Sequence, residues 1–507
     1  MFVLRLPLKT TEMDRREIGR RFNAVSHIHN VCVKHARKLL RKLEHDPEYC
    51  SCLAEYSALL KKKKRTEKDA ARKKALSKRM NGIRESIGLS ESGLQSYLKK
   101  CGSQFSKMLS SQQVQKEATR VWRGVSDILF REGKELHFKK RGDFRTIGGK
   151  SNENGVIMDA DKCTIEWLGL EIKCRMAKRP CEYAYQIEAL DNKVSYCEIE
   201  RKMFPNGWHY YVLVYLSGDA PKRLAAVGDR DNVCGIDIGV STVAAVSEYS
   251  ILLRELAPDV RKYNRQIIKL QQKLDASKRA SNPNKFNSDG TYKKGNKDRW
   301  KLTNAYFKNR RKLTTLYRQK SAYIRQCHEQ TANELLAGSA CFLAEEMSFA
   351  GLQRRSKKTE RQGKASEIKQ KDGSTKTVHK YKKKKRYGRS LNNRAPAEFV
   401  TILTRKAKAY GGGVWKVNTK KFKASQYDHV TGKCTKAGRE VRSKTIGGHE
   451  VQRDLYSAFL IKSSNITFTE PDREKCDQGF ERFCKMSDFL IADMKSRGIS
   501  MKQCFGF

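Results

Sequence analysis

NVCGIDIGVSTVAAVSEYS, residues 232–250, reads as an apolar strand broken by one aspartate and a glycine-containing turn, followed by a second strand. Asp237 stands inside the apolar run, where an unpaired charge costs on the order of several kcal/mol unless something compensates it. A divalent cation is one compensator, and the plainer reading is a turn aspartate between two strands of a hairpin. Gly235 and Gly239 remove side chains around it, which leaves room for a phosphate to approach the strand. The change of texture at Val233 begins a new domain.

Downstream, residues 252–333 read as helical and basic, two long helices joined by the polar stretch SNPNKFNSDGTYKKGNKD at 281–298. LLAGSACFLAEEMSF follows, a buried strand ending in Glu345 and Glu346. Strand alternation sends those two carboxylates to opposite faces, so one of them joins Asp237 and the other is solvated. Residues 354–392 are basic and poor in apolar side chains, and are expected to be mobile without a ligand. The helix APAEFVTILTRKAKAYGGG and the strand VWKVN come next. GGHEVQRDLYSAFLI then places Asp454 at the start of a helix with a buried face, where an aspartate also serves as an ordinary cap or dipole partner.

Three carboxylates at the edges of apolar elements, surrounded by basic segments, are the oxygen donors that two Mg²⁺ ions use to activate water and stabilise a departing 3′ oxygen. Asp237, Glu345 and Asp454 are therefore the candidate catalytic and metal-binding residues. The histidines show no arrangement with serine or cysteine that offers a competing nucleophile.

Upstream, FVLRLPLK alternates like a half-buried strand, and a long helical pattern from about Met13 to Leu43 follows. KKKKRTEKDAARKKALSKR, at 61–79, reads as a solvated helix or helical hairpin against phosphates. SSQQVQKEATRVWRGVSDILF, at 110–130, carries a core stripe at helical spacing. LHFKKRGDF, CTIEWLGLEIKCRM, KVSYCEIERKM and GWHYYVLVYLSG read as strands of a β-barrel or curled sheet. The first strand is expected to belong to that sheet, with the helices of 12–130 inserted as a lobe.

The chain of 507 residues is too long for one core, and its net charge of +51 calls for a polyanion that neutralises much of the surface. Nucleic acid is that polyanion. No run of about eighteen apolar residues and no signal-peptide pattern occurs, which predicts an intracellular protein without a membrane partner. The 15 cysteines follow no regular framework and none are spaced CxxC, so reduced thiols and no structural zinc are expected.

By order and motif the sequence resembles the transposon-encoded TnpB nucleases and their relatives, the miniature type V CRISPR effectors, over nearly its full length. GIDIGVST looks like the first RuvC motif, FLAEEMSFAGL like the second and VQRDLYSAF like the third. SLNNRAPAEFVTILTRKAKAYGGGVWKVN resembles the segment between the last two. The resemblance implies an α+β multidomain chain of two lobes. A wedge-type β-barrel (1–11 and 131–232) would carry an inserted helical recognition lobe (12–130), and an RNase H-like (RuvC) α/β nuclease domain (233–507) would follow. Within the last, 252–333 is a helical insertion, 354–392 a basic mobile segment and 422–452 a degenerate zinc-ribbon-like insertion. It also implies an RNA-guided DNA endonuclease of a prokaryotic cytoplasm, associated with the nucleoid when on DNA. Its cofactors would be two Mg²⁺ ions and a guide RNA, and its target double-stranded DNA. A catalytically idle relative and an RNA-independent RNase H-fold transposase or nuclease are the alternatives.

Base pairing would carry the sequence information while basic side chains hold phosphates. Lys139, Lys140 and Arg141 are the expected RNA-backbone contacts, with Lys382, Lys383, Lys384, Lys385 and Arg386 as further phosphate contacts. Where relatives carry a zinc ribbon, only His429, Cys434 and His449 could ligate, at irregular spacing, so a loop or small hairpin is expected there. Tyr456 and Ser457 replace the smaller residues common in the third motif.

Overall fold

The structure is a computed structural model that describes every residue except 63–65, 132, 141, 223–226, 289, 294, 354–360, 370–374, 382–386 and 439. Of residues 361–366, 368–369, 376, 378–381, 389 and 420 only the backbone is described. The chain divides into two units, Met1–Arg223 and Leu224–Phe507, and is a mixed α/β protein in both.

In the first unit β1 (Phe2–Pro7) is followed by five helices: α1 (Glu12–Glu44), α2 (Pro47–Lys61), α3 (Glu67–Ser86), α4 (Glu91–Gly102) and α5 (Ser111–Phe130). Then come β2 (Thr146–Gly148), β3 (Val156–Asp159), β4 (Thr164–Trp167), β5 (Leu170–Lys173), α6 (Pro180–Leu190), β6 (Val194–Phe204) and β7 (Gly207–Leu216). β1 pairs antiparallel with β7, so the chain leaves this sheet for five helices and then returns to it. Thr11 opens α1 with a capping box to Asp14, and Ser110 opens α5 with another to Gln113. The apolar stripes of both helices join the sheet residues in one core.

The expected barrel is not found among the described residues. There are two sheets, β1-β7-β6-β2 and β3-β4-β5, joined where Leu8 bridges Cys174. Residues 136–140 are irregular rather than a strand, because side chains of α1 satisfy backbone groups of Leu136 and Lys139. Asn30 both donates to and accepts from the Lys139 backbone at 2.9 Å, and Arg37 Nε donates to the Leu136 carbonyl at 2.9 Å.

The second unit starts with β8 (Val233–Ile238), β9 (Thr242–Val246) and β10 (Ile251–Glu255), then α7 (Val260–Ala280) and α8 (Asn304–Gly338). The helical stretch therefore begins later than 252: Leu252 and Leu253 pair with Ala245 and Ala244 as an edge strand. β11 (Cys341–Glu345), α9 (Phe349–Gln353), β12 (Arg361–Lys369) and β13 (Thr375–Tyr381) follow. β12 and β13 pair antiparallel as a two-stranded ribbon within the basic segment. The unit continues through α10 (Gly388–Arg394), α11 (Pro396–Ala409), β14 (Gly413–Val417), α12 (Thr419–Phe422), β15 (Ser443–Ile446), β16 (His449–Gln452), α13 (Arg453–Lys462) and α14 (Arg473–Ser496).

Its main sheet has the order β10-β9-β8-β11-β14. β9 runs antiparallel to both β10 and β8, whereas β11 runs parallel to both β8 and β14. Every residue of β9 is buried, as expected of a strand covered on both faces. Ile236, Ile238, Phe342 and Ala344 pack with α8 and α11 on one face. Leu343, Ala244, Val246 and Val417 pack with α13 and α14 on the other. Gly235 makes the second contact close: a Cβ there would lie 2.2 Å from the Ala458 carbonyl oxygen of α13 and 2.3 Å from the Lys462 nitrogen. Its lack of a side chain thus serves helix packing, not the approach of a phosphate. Gly239 shapes the β8–β9 turn, where its N–H donates to Thr242.

Candidate functional site

The pairing of β8 with β11 ends at Ile236 opposite Ala344. One step further along each strand stand Asp237 and Glu345, on adjacent strands separated by about 4.8 Å. Asp237 lies opposite Ala244 and Glu345 opposite Val417, which puts both carboxylates on the face that carries α13. Glu346 points the other way and is exposed, and its N–H extends the ladder to the Val417 carbonyl at 3.1 Å.

Asp454 comes from the first turn of α13. It is not the cap: Gln452 is, its side-chain oxygen accepting the Leu455 N–H at 2.7 Å. Leu455 through Ile461 are buried, so the helix is anchored along its length and Asp454 is fixed at its entry. Burial pushes the Asp237 carboxyl well above the ordinary carboxylate range, and the charges of Asp454 and Glu345 push it further. Burial also raises Glu345 to about 7. Asp237 thus feels the charge of both other acids predicted from the sequence.

Two arginines that the sequence reading missed complete this site. The Arg453 N–H donates to the Arg442 carbonyl at 2.8 Å, continuing the β15–β16 ladder beyond Ser443 and Gln452. The hairpin thereby brings both guanidinium groups to Asp454, Arg442 at 3.7 Å and Arg453 at 3.4 Å. Both draw Asp237 back toward its charged form. The buried Nε of Arg442 has no hydrogen-bond partner. The sequence signalled these residues only as cations near an acid, since their register follows from the hairpin. The C-terminal stretch also reaches the site: the Cys504 thiol feels Arg442, Asp454, Arg394 and Glu255.

The 422–452 segment ends in the hairpin of β15 and β16. His429 is 1% exposed, its Nδ1 2.7 Å from the Tyr456 hydroxyl and its ring 4.7 Å from that of Phe480. Phe459 and Phe483 stack at 4.7 Å beside it. Tyr456 thus anchors the insertion to α13 through an aromatic cluster, and Cys434 is exposed.

The oxygen-only donor set and the charge repulsion at Asp237 suit hard divalent cations. Among the described residues, no three His, Cys, Asp or Glu side chains stand close enough together to hold one metal ion. Of the expected phosphate contacts, Lys140 is exposed. Lys139 is half-buried with its ammonium 4.3 Å above the Phe144 ring, and burial lowers its pKa. Arg141 and Lys382 to Arg386 lie outside the described residues. Among the described residues no helix is long and apolar enough to cross a membrane.

No family model matches the chain, and no curated protein does. Among solved structures, a cryo-EM structure of a CRISPR-Cas12f ternary complex aligns over 91% of this chain and 99% of that chain, at 13% identity and a TM-score of 0.26. A score that low does not establish a shared fold.

Proposed function

We propose that this chain is an RNA-guided DNA endonuclease of the TnpB and miniature type V kind, cutting at Asp237, Glu345 and Asp454. The observation that carries the reading is that Asp237 and Glu345 end adjacent strands on the sheet face that carries α13, whose first turn bears Asp454, and that the charges of Glu345 and Asp454 raise the cost of charge at Asp237. The five-stranded mixed sheet, three strands antiparallel and two parallel, supports an RNase H-like (RuvC) domain over 233–507. The pairing of β1 with β7 supports a wedge-type sheet from 1–11 and 131–232, with 12–130 as the recognition lobe. The net charge of +51 supports RNA and DNA as partners.

In this reading Asp237, Glu345 and Asp454 hold the metal. Two Mg²⁺ ions bound there would supply Lewis-acid stabilisation of the attacking and leaving oxygens of a phosphodiester. Arg442 and Arg453 neutralise part of the acidic cluster, and their guanidinium charges would offset that of a phosphate drawn to it. Gln452 and the buried face of α13 hold Asp454 in place.

A second reading is a catalytically idle RNA-guided DNA binder. The two guanidinium groups at Asp454, and the spread of the acids beyond the reach of one ion, favour it. Purified protein with its co-purifying RNA, sequenced and then given matched DNA, separates the readings. Mg²⁺-dependent cutting that Asp237→Ala abolishes without loss of RNA supports the first. Matched binding with no nicking supports the second, and cutting that persists after RNase treatment points to an RNA-independent nuclease.

A further inference from the structure

Cys163 and Cys174 lie in the first unit, outside the site above. Thr164 of β4 faces Lys173 of β5, and the ladder extends one step further, where the Cys174 N–H donates to the Cys163 carbonyl at 2.8 Å. Directly opposed residues of an antiparallel pair have Cα atoms about 4.5–5.5 Å apart. A disulfide spans Cα separations of about 4.4–6.8 Å. The strands are joined by the tight turn at Leu168 and Gly169, both at positive φ, which fixes this register.

Both cysteines are held in place. Cys174 is 5% exposed and bridges Leu8, while Lys9 N–H donates to Lys173 at 2.9 Å and Arg175 N–H to Pro7 at 2.7 Å. Cys163 is half-buried at φ 51°, a left-handed conformation that costs a non-glycine residue, and its N–H donates to Ala160 at 3.2 Å. Its sulfur lies 3.2 Å from that of Met176.

We propose that Cys163 and Cys174 are an oxidisable thiol pair that closes to an intrachain disulfide on meeting a small-molecule disulfide. The neighbouring Cys174 thiol, aided by Lys9 and opposed by burial, draws the Cys163 thiol down to about 7, which makes Cys163 the attacking group. Its thiolate attacks one sulfur of the reagent, forms a mixed disulfide and releases a thiol. Cys174 then loses its proton, attacks the Cys163 sulfur and releases the second thiol. Two protein thiols give up two electrons and two protons, and the reagent disulfide leaves as two thiols. Cys181 and Cys434 are exposed and stand as single-thiol controls.

The test is oxidised glutathione on the full chain, then alkylation and tryptic mapping. Peptides 163–173 and 174–175 should be recovered joined, lighter by two hydrogens than the free pair and separated by reductant, while Cys181 and Cys434 retain glutathione. In Cys174→Ser, glutathione should remain on Cys163. In Cys163→Ser, Cys174 should stay unmodified. The proposal is overturned if the wild-type chain keeps glutathione on Cys163, or if Cys163 is recovered linked to another cysteine such as Cys197. Equal glutathione uptake by Cys174 in the Cys163→Ser chain would overturn the assignment of Cys163 as attacker.

Discussion

At the scale of single residues, the charge on Asp237 is costly. Without metal, its carboxyl is desolvated and repelled by two other acids. Asp237→Asn should therefore abolish cutting and yet stabilise the metal-free protein. Each kcal/mol relieved raises Tm by about 2–4 °C for a domain of 150–250 residues, a gain that calorimetry in chelator can read. An unchanged or lower Tm would mean the electrostatic account of Asp237 is wrong. Arg442→Ala should slow cutting about 10²-fold, the scale of losing one donor to transition-state charge. RNA binding should be unaffected, and Lys at 442 should restore part of the rate in single-turnover assays.

At the scale of elements, α13 is the part on which the site depends. Gly235→Ala would place a methyl against the Ala458 carbonyl, forcing the helix off β8. Overpacking of this kind costs about 1–3 kcal/mol. The variant should lose Tm and cutting together although all three acids remain; a fully stable, active variant would refute the packing account. The aromatic cluster adds a pH dependence. Burial lowers the His429 pKa below its ordinary 6.5, against the pull of Asp477. Between the two values the unfolded chain binds a proton that the folded chain does not. Its contribution to stability is thus full above about 6.5 and lost as the pH falls through the depressed value. His429→Asn should have a flatter fall in Tm from about pH 7.5 to pH 5.5 than wild type, and parallel curves would exclude this role.

For the whole molecule, the proposed function together with a net charge of +51 would make salt the main lever on RNA affinity. A protein with six to ten phosphate contacts loses about 10³–10⁵ in affinity between 50 and 200 mM salt. A loss in that range is expected in filter-binding titrations, and a flat response would count against phosphate contacts as the basis of binding. Chelator should stop cutting and leave RNA binding intact.

Local pattern by itself determined a good deal: the apolar setting of Asp237, the split of Glu345 from Glu346 by strand alternation, and the place of Asp454 at the start of a buried helix. These are short-range facts, legible because strand and helix periods act over a few residues. Tertiary structure alone decided what Gly235 is for, since its neighbour is a carbonyl more than two hundred residues away. It also made 136–140 irregular, through Asn30 and Arg37, and left Phe489 of α14 78% exposed. The facing of Cys163 and Cys174, and the delivery of Arg442 to Asp454, likewise depend on hairpin register. Register follows from which backbone groups find partners across a fold, and a linear pattern of residue types does not contain that information.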